Sequence, residues 1–102
     1  MQEVSVIIPN FNGMAYLDGV LAGLECQSVN NFEVILVDNG SSDVSCAFVA
    51  ARYPWVHLIE LPENFGFCKA VNEGIRASRS PYVLLLNNDI EVTENFIEEM
   101  LS

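Results

Sequence analysis

Apolar residues fall into blocks along this chain, and their spacing changes from block to block. VSVIIP (4–9), FEVILV (32–37), VHLIEL (56–61) and YVLLL (82–86) are short β-branched or nearly all-apolar runs bounded by turn formers, and they read as strands. Between Met14 and Gln27 apolar residues recur at Leu17, Val20, Leu21 and Leu24, the spacing of an amphipathic helix. Val44 to Tyr53 reads as a second helix, with Ser42 or Asp43 placed to cap it and Pro54 to stop it. Phe67 to Arg79 reads as a third, with Ala70, Val71, Gly74 and Ile75 on one side. Thr93 to Leu101 reads as a fourth, capped by Thr93.

The order is therefore β-α-β-α-β-α-β-α. Strands that alternate with helices predict an α/β fold: an open, mostly parallel sheet with right-handed crossovers and helices on both faces. Near-continuous apolar strands agree, because a parallel sheet is covered on both sides. The length of 102 residues suits one domain. EEMLS ends the chain in or just past a helix without a terminating Gly or Pro, so residues 1–102 read as a piece of a longer domain.

Composition narrows the partners. The chain is 51% hydrophobic, with 14 acidic residues against 4 Lys and Arg and a net charge of -10. Nucleic acid is excluded as a partner, since binding it depends on Lys and Arg neutralising phosphates, and an anionic membrane surface is disfavoured for the same reason. Cys26, Cys46 and Cys68 are odd in number and lack metal-type spacing, as expected of reduced thiols in the cytoplasm. The N-terminal MQEVSVIIPN has no basic n-region and is too polar for a signal peptide.

Candidate chemistry sits where the strands end. Ligands of an open parallel sheet bind beyond the carboxyl ends of its strands. Here those ends carry Pro9-Asn10-Phe11-Asn12, Asp38-Asn39-Gly40-Ser41-Ser42-Asp43, Asn64-Phe65-Gly66 and Asn87-Asn88-Asp89. Each is ordinary turn chemistry alone. Asp38 behind ILV and Asp89 behind LLL are different, because a carboxylate at the edge of a core needs a partner. There is no GxxxxGK[ST] and no GxGxxG after the first strand, so a P-loop and the usual dinucleotide fold are both disfavoured. An acidic rim would hold a phosphorylated ligand only through a bridging divalent cation.

VSVIIPNFNG, FEVILVDNGSSD, NFGFCKAVNEGI and YVLLLNND, in that order, resemble the N-terminal half of inverting family 2 glycosyltransferases of the GT-A fold, over about Val4 to Leu101. The N-x-G-x-x-x-A-x-N-x-G pattern of Asn64, Gly66, Ala70, Asn72 and Gly74 adds to the match. NND in place of the family's DxD looks most like the branch that includes rhamnosyltransferase-like enzymes. The resemblance implies a UDP-, dTDP- or GDP-linked sugar donor. Pro9, Asn10 and Phe11 would wrap the base, and Asp38 would accept from a base N–H. Asp43 would support its loop. Asn64 and Gly66 would lie beside the nucleotide, Lys69 near a phosphate, Asn88 on the ribose and Asp89 on Mg²⁺ or Mn²⁺.

The resemblance also implies transfer with inversion to a cell-surface polysaccharide or glycolipid acceptor, and a catalytic base beyond Ser102. Glu91, Glu94, Glu98 and Glu99 read instead as a solvated acidic face, with Glu94 helped by the helix dipole. In the family the fourth strand pairs on both sides. Its apolar edge here at Tyr82–Leu86 predicts self-association. The alternative reading is a non-catalytic nucleotide-binding or interaction module on the same fold.

Overall fold

The computed structural model describes residues 3–90 and 92–101. The elements are β1 (Val4–Asn10), α1 (Met14–Glu25), β2 (Phe32–Asn39), α2 (Ser45–Arg52), β3 (His57–Leu61), α3 (Phe67–Ala77), β4 (Tyr82–Leu85) and α4 (Phe96–Leu101). The strands form one parallel sheet in the order β3-β2-β1-β4. The expected fold class is the observed one.

Both faces of the sheet are covered, unequally. Val4, Val6 and Ile8 of β1 and Val34 and Leu36 of β2 point into a large core with Leu17, Val20, Leu21 and Leu24 of α1, Val49 of α2 and Ile97 of α4. The four α1 residues are the ones the helical spacing selects. On the other face Ile7, Ile35 and Val37 meet Ala70 of α3. That contact is narrow and close: a Cβ added to Gly74 would lie 2.6 Å from Ile7 Cγ2. Of the side chains assigned to the inner side of α3, Ala70 is buried, while Ile75 stays 48% exposed. Small residues bring the helix axis so near β1 that a large side chain one residue on is directed past the sheet.

Other expectations need correction. The fourth helix begins at Phe96, so Glu94 precedes it, and Glu91 lies outside the described residues. Thr93 does not cap the helix with its side chain. Gln27 takes that role from across the core: its Oε1 accepts from the Ile97 N–H at 2.8 Å, and its Nε2 donates to the carbonyls of Gly23 and Thr93. Gln27 is free to do this because α1 ends at Glu25, before the expected Gln27. Tyr53 and Trp55 pack edge to face at the α2–β3 corner, and the Tyr53 hydroxyl donates to Asp18 Oδ1.

β4 is the outer strand beside β1. Its Tyr82, Val83 and Leu85 are exposed, as expected of an apolar edge without a second neighbour. Among the described residues no helix is long and apolar enough to cross a membrane.

Candidate functional site

All the strand-end loops emerge on one rim, because every strand runs the same way. The β1–α1 and β2–α2 loops are fastened together there. Asn12 adopts a left-handed conformation (φ 51°), which directs its Oδ1 to accept from the N–H groups of Ser42 and Asp43. Asp43 returns the contact, accepting from the Met14 N–H with Oδ2 and from the Ser45 N–H and hydroxyl with Oδ1. It thus satisfies an orphan donor at the start of α2, although the N-cap position itself is Val44 rather than the expected Ser42 or Asp43. Burial acts to raise its pKa, but the bonds from Ser45 and Met14 hold it below the usual carboxylate value.

The β3–α3 loop is held by Asn39. This buried amide accepts from the Phe65 N–H at 3.0 Å and donates to the Gly66 carbonyl at 3.0 Å. Asn64 closes the same turn by accepting from the Gly66 N–H. Gly66 has φ +93°, a region closed to other residues by backbone strain although a Cβ there would meet nothing. At Gly40 a Cβ would strike Glu63 Cα at 2.4 Å, so only glycine lets these two loops touch.

These loops enclose a cavity of about 460 Å³ lined by Pro9, Asn10, Phe11, Asn39, Asn64, Gly66, Phe67, Asn87, Asn88 and Asp89. Most of the residues singled out from the sequence meet here, drawn from three strand ends. Asp38 and Lys69 do not line it. Asp38 is buried behind Asn10, and Lys69 lies on the exposed side of α3 beside Glu73 at 4.0 Å. Phe67, which from the sequence suited either the core or the donor pocket, lines the cavity, and Asn39 and Asn87 join it without having been given a role; Asn39 was hidden inside an Asn-Gly pair that reads as an ordinary turn.

The centre of the rim is a row of side chains across three adjacent strands. Asp38 Oδ1 accepts from Asn10 Nδ2 at 2.9 Å and from the Ser41 hydroxyl at 2.7 Å, and Asp38 Oδ2 accepts from the Ser41 N–H at 2.9 Å. Asn10 Oδ1 then accepts from Asn88 Nδ2 at 2.8 Å. Gly13 makes room for the row: a Cβ there would lie 2.1 Å from Asn88 Nδ2 and 2.3 Å from Asn10 Oδ1. Beyond it, exposed Asp89 makes no hydrogen bond or ion pair among the described residues and is the cavity's one carboxylate.

The donor set is a carboxylate among neutral amides, all hard oxygen ligands suited to Mg²⁺ or Mn²⁺. Among the described residues no group of three His, Cys, Asp or Glu side chains could hold a metal unaided. A cation held by Asp89 would need further ligands from a substrate.

The model of "Glycosyl transferase family 2" matches residues 5–102. This chain belongs to that family. Proteins similar to it include an uncharacterised glycosyltransferase of Haemophilus influenzae, 32% identical over all of this chain and 42% of its own length. Another is a teichoic acid poly(glycerol phosphate) polymerase of Staphylococcus epidermidis, 27% identical over 90% of this chain and 13% of its own. The crystal structure of S. aureus TarS 1-349 in complex with UDP-GlcNAc superposes with a TM-score of 0.89, at 25% identity over 98% of this chain and 30% of that one. The mannosyltransferase PcManGT of Pyrobaculum calidifontis, in complex with GDP-Man and Mn²⁺, gives 0.81 at 26% identity over 87% of this chain and 28% of its own. The chain thus spans less than half the length of each of these proteins. Its sheet is part of the GT-A glycosyltransferase fold.

Proposed function

We propose that the rim cavity holds the nucleoside diphosphate of a sugar donor, and that the protein transfers this sugar with inversion at the anomeric carbon. The observation that carries the reading is the meeting of Asp89 and Asn88 with the Pro9–Phe11 loop in one cavity at the strand ends. Solved relatives described with UDP-GlcNAc or with GDP-Man and Mn²⁺ support it.

Pro9 and half-exposed Phe11 offer an apolar surface to the base. Asp38 lines a separate hollow with Gly40, Ser41 and Asp43, and accepts from a base N–H only where the base extends from the rim cavity into it. Asn64 and Gly66 flank the nucleotide, and Lys69 reaches a phosphate on leaving Glu73. Asn88 uses its amide N–H on Asn10, which leaves its carbonyl to accept from a ribose hydroxyl. Asp89, with neighbouring amide oxygens, holds Mg²⁺ or Mn²⁺ on the diphosphate. When bound, the cation supplies Lewis-acid stabilisation of the leaving group.

The base that deprotonates the acceptor hydroxyl is a carboxylate beyond residue 102 of a longer protein. The teichoic acid polymerase relative supports an acceptor in cell-surface polysaccharide or glycolipid, and we propose that it is reached from the cytoplasm. The NND spelling keeps dTDP-rhamnose among the donors to test. Tyr82, Val83 and Leu85 form the edge along which a second copy pairs. A single mass at the monomer value across concentrations would remove that part.

The deciding experiment is thermal melting with UDP, dTDP and GDP, each with Mn²⁺ or EDTA. Ligand that binds only the folded state raises Tm. A rise with one nucleotide, larger with Mn²⁺ and absent in Asp89→Ala, is expected. No rise with any nucleotide would sink the binding claim. Binding without sugar transfer by the complete gene product would leave a non-catalytic module.

A further inference from the structure

We infer that Asn10 is a positioning residue: it locks the orientation of the Asn88 amide, so that positions 10 and 88 work as a matched pair. This rests on the nucleotide reading above for its ligand consequence, but not for its structural one.

The inference follows from donors and acceptors alone. An ionised carboxylate accepts only, while an amide has one accepting end and one donating end. Asp38 therefore requires Asn10 to present its Nδ2, at 2.9 Å. That turns Asn10 Oδ1 toward β4, where only a donor suits it, and Asn88 supplies Nδ2 at 2.8 Å. The Asn88 carbonyl is then left over, on a residue that lines the cavity and has no protein partner for that oxygen among the described residues. Asn10 is 2% exposed, so water cannot relieve a reversed amide. Gly13 fits closely under both amides and leaves no space for a shifted pair.

The pairing gives the amide at position 88 a reason. A carboxylate there would set two acceptors against each other at Asn10 Oδ1. Asn10 cannot turn to help, because turning would oppose its carbonyl to Asp38. The charged groups that face the row are Asp38 itself, Asp43 on the adjoining loop and Asp89, and α1 places no acid in its first turn. All are negative, so an added carboxylate has no compensating partner.

Two measurements test this on the full chain. The first is melting of Asn88→Asp beside Asn87→Asp, which adds the same charge one residue away. Asn88→Asp is expected to melt roughly 4–8 °C lower than Asn87→Asp at pH 8, as for the loss of one part-buried hydrogen bond in a domain this small. Equal melting of the two variants at pH 8 would overturn the matched pair.

The second is calorimetric titration with UDP and its 2′-deoxy and 3′-deoxy analogues in Mg²⁺. The wild-type chain should favour UDP over one analogue by roughly five- to tenfold. Asn10→Leu and Asn88→Ala should each erase that preference. Retained preference in a folded Asn10→Leu protein would overturn the positioning role. Should Asn10→Leu fail to fold, Asn10→Ser, whose shorter side chain cannot bridge Asp38 and Asn88, takes its place with the same expected loss. If no nucleotide binds the wild-type chain, the nucleotide reading fails, and the melting comparison alone decides the pairing.

Discussion

The two ends of the sheet each hold a carboxylate in a web of polar groups, and the webs differ in kind. At the amino ends of the strands, Glu33 Oε2 accepts from the Ser5 hydroxyl at 2.5 Å, the Arg79 N–H at 3.2 Å and the Ser80 hydroxyl at 3.1 Å, and Ser78 donates to Ser5. Every contact there is made by the chain itself, across β1, β2 and the α3–β4 connection. At the carboxyl ends, Asp38 is similarly enclosed, but the row continues to Asn88 and stops with a carbonyl and with Asp89 unpaired. Closed webs fix the fold. The open one ends in a cavity, and its unused acceptors are what a ligand can take.

Removing Asp38 should have the largest effect. Asp38→Ala leaves Asn10 Nδ2 and the Ser41 N–H buried without their acceptor, and is expected to cost about 2–3 kcal/mol in urea unfolding. It should also abolish any nucleotide-induced rise in Tm. Full stability would mean that the row is ornamental and the two webs are alike.

Glu33 comes next, and its effect should depend on pH. Burial acts to raise its pKa, but hydrogen bonds from Ser5, Arg79 and Ser80, with His57 nearby, bring it below 4.5. A folded pKa below the unfolded one gives stability that is present above 4.5 and lost as the pH falls through the folded value. Glu33→Gln is therefore expected to lose about 1 kcal/mol at pH 7 and to match the parent well below pH 4. A constant difference across that range would show that charge plays no part in the closed web.

The thiols report on the same contrast chemically. Burial, with Asp38 and Glu60 beside it, pushes Cys46 up to about 12, whereas Cys26 and Cys68 are exposed. A thiol reacts as its thiolate. Maleimide at pH 8 should label Cys26 and Cys68 and spare Cys46, as read by peptide mass.

Asp89→Ala should have the smallest effect on stability, within about 0.5 kcal/mol, because an exposed side chain without partners holds nothing together. It should still remove the divalent-cation dependence of nucleotide binding in calorimetry. Large destabilisation would move Asp89 to the structural side of the comparison.

Much of this was legible in the sequence. Each strand and helix announces itself by its spacing, since a period of two or an apolar block differs from i, i+3, i+4 whatever surrounds it. The α1 stripe of Leu17, Val20, Leu21 and Leu24 is buried as that spacing requires. The clustering of Asn10, Asn64, Asn88 and Asp89 followed too, because parallel strands bring every carboxyl end to one rim. Tertiary structure alone decided the pairings. Gln27 caps α4 from 70 residues away, Glu33 gathers hydroxyls from Ser5 and Ser80, and Asn10 stands between Asp38 and Asn88. Local spacing records how a segment meets the core. A hydrogen bond between distant side chains depends on strand order and register, which place Asn10 opposite Asp38, and no single stretch of the chain carries that information.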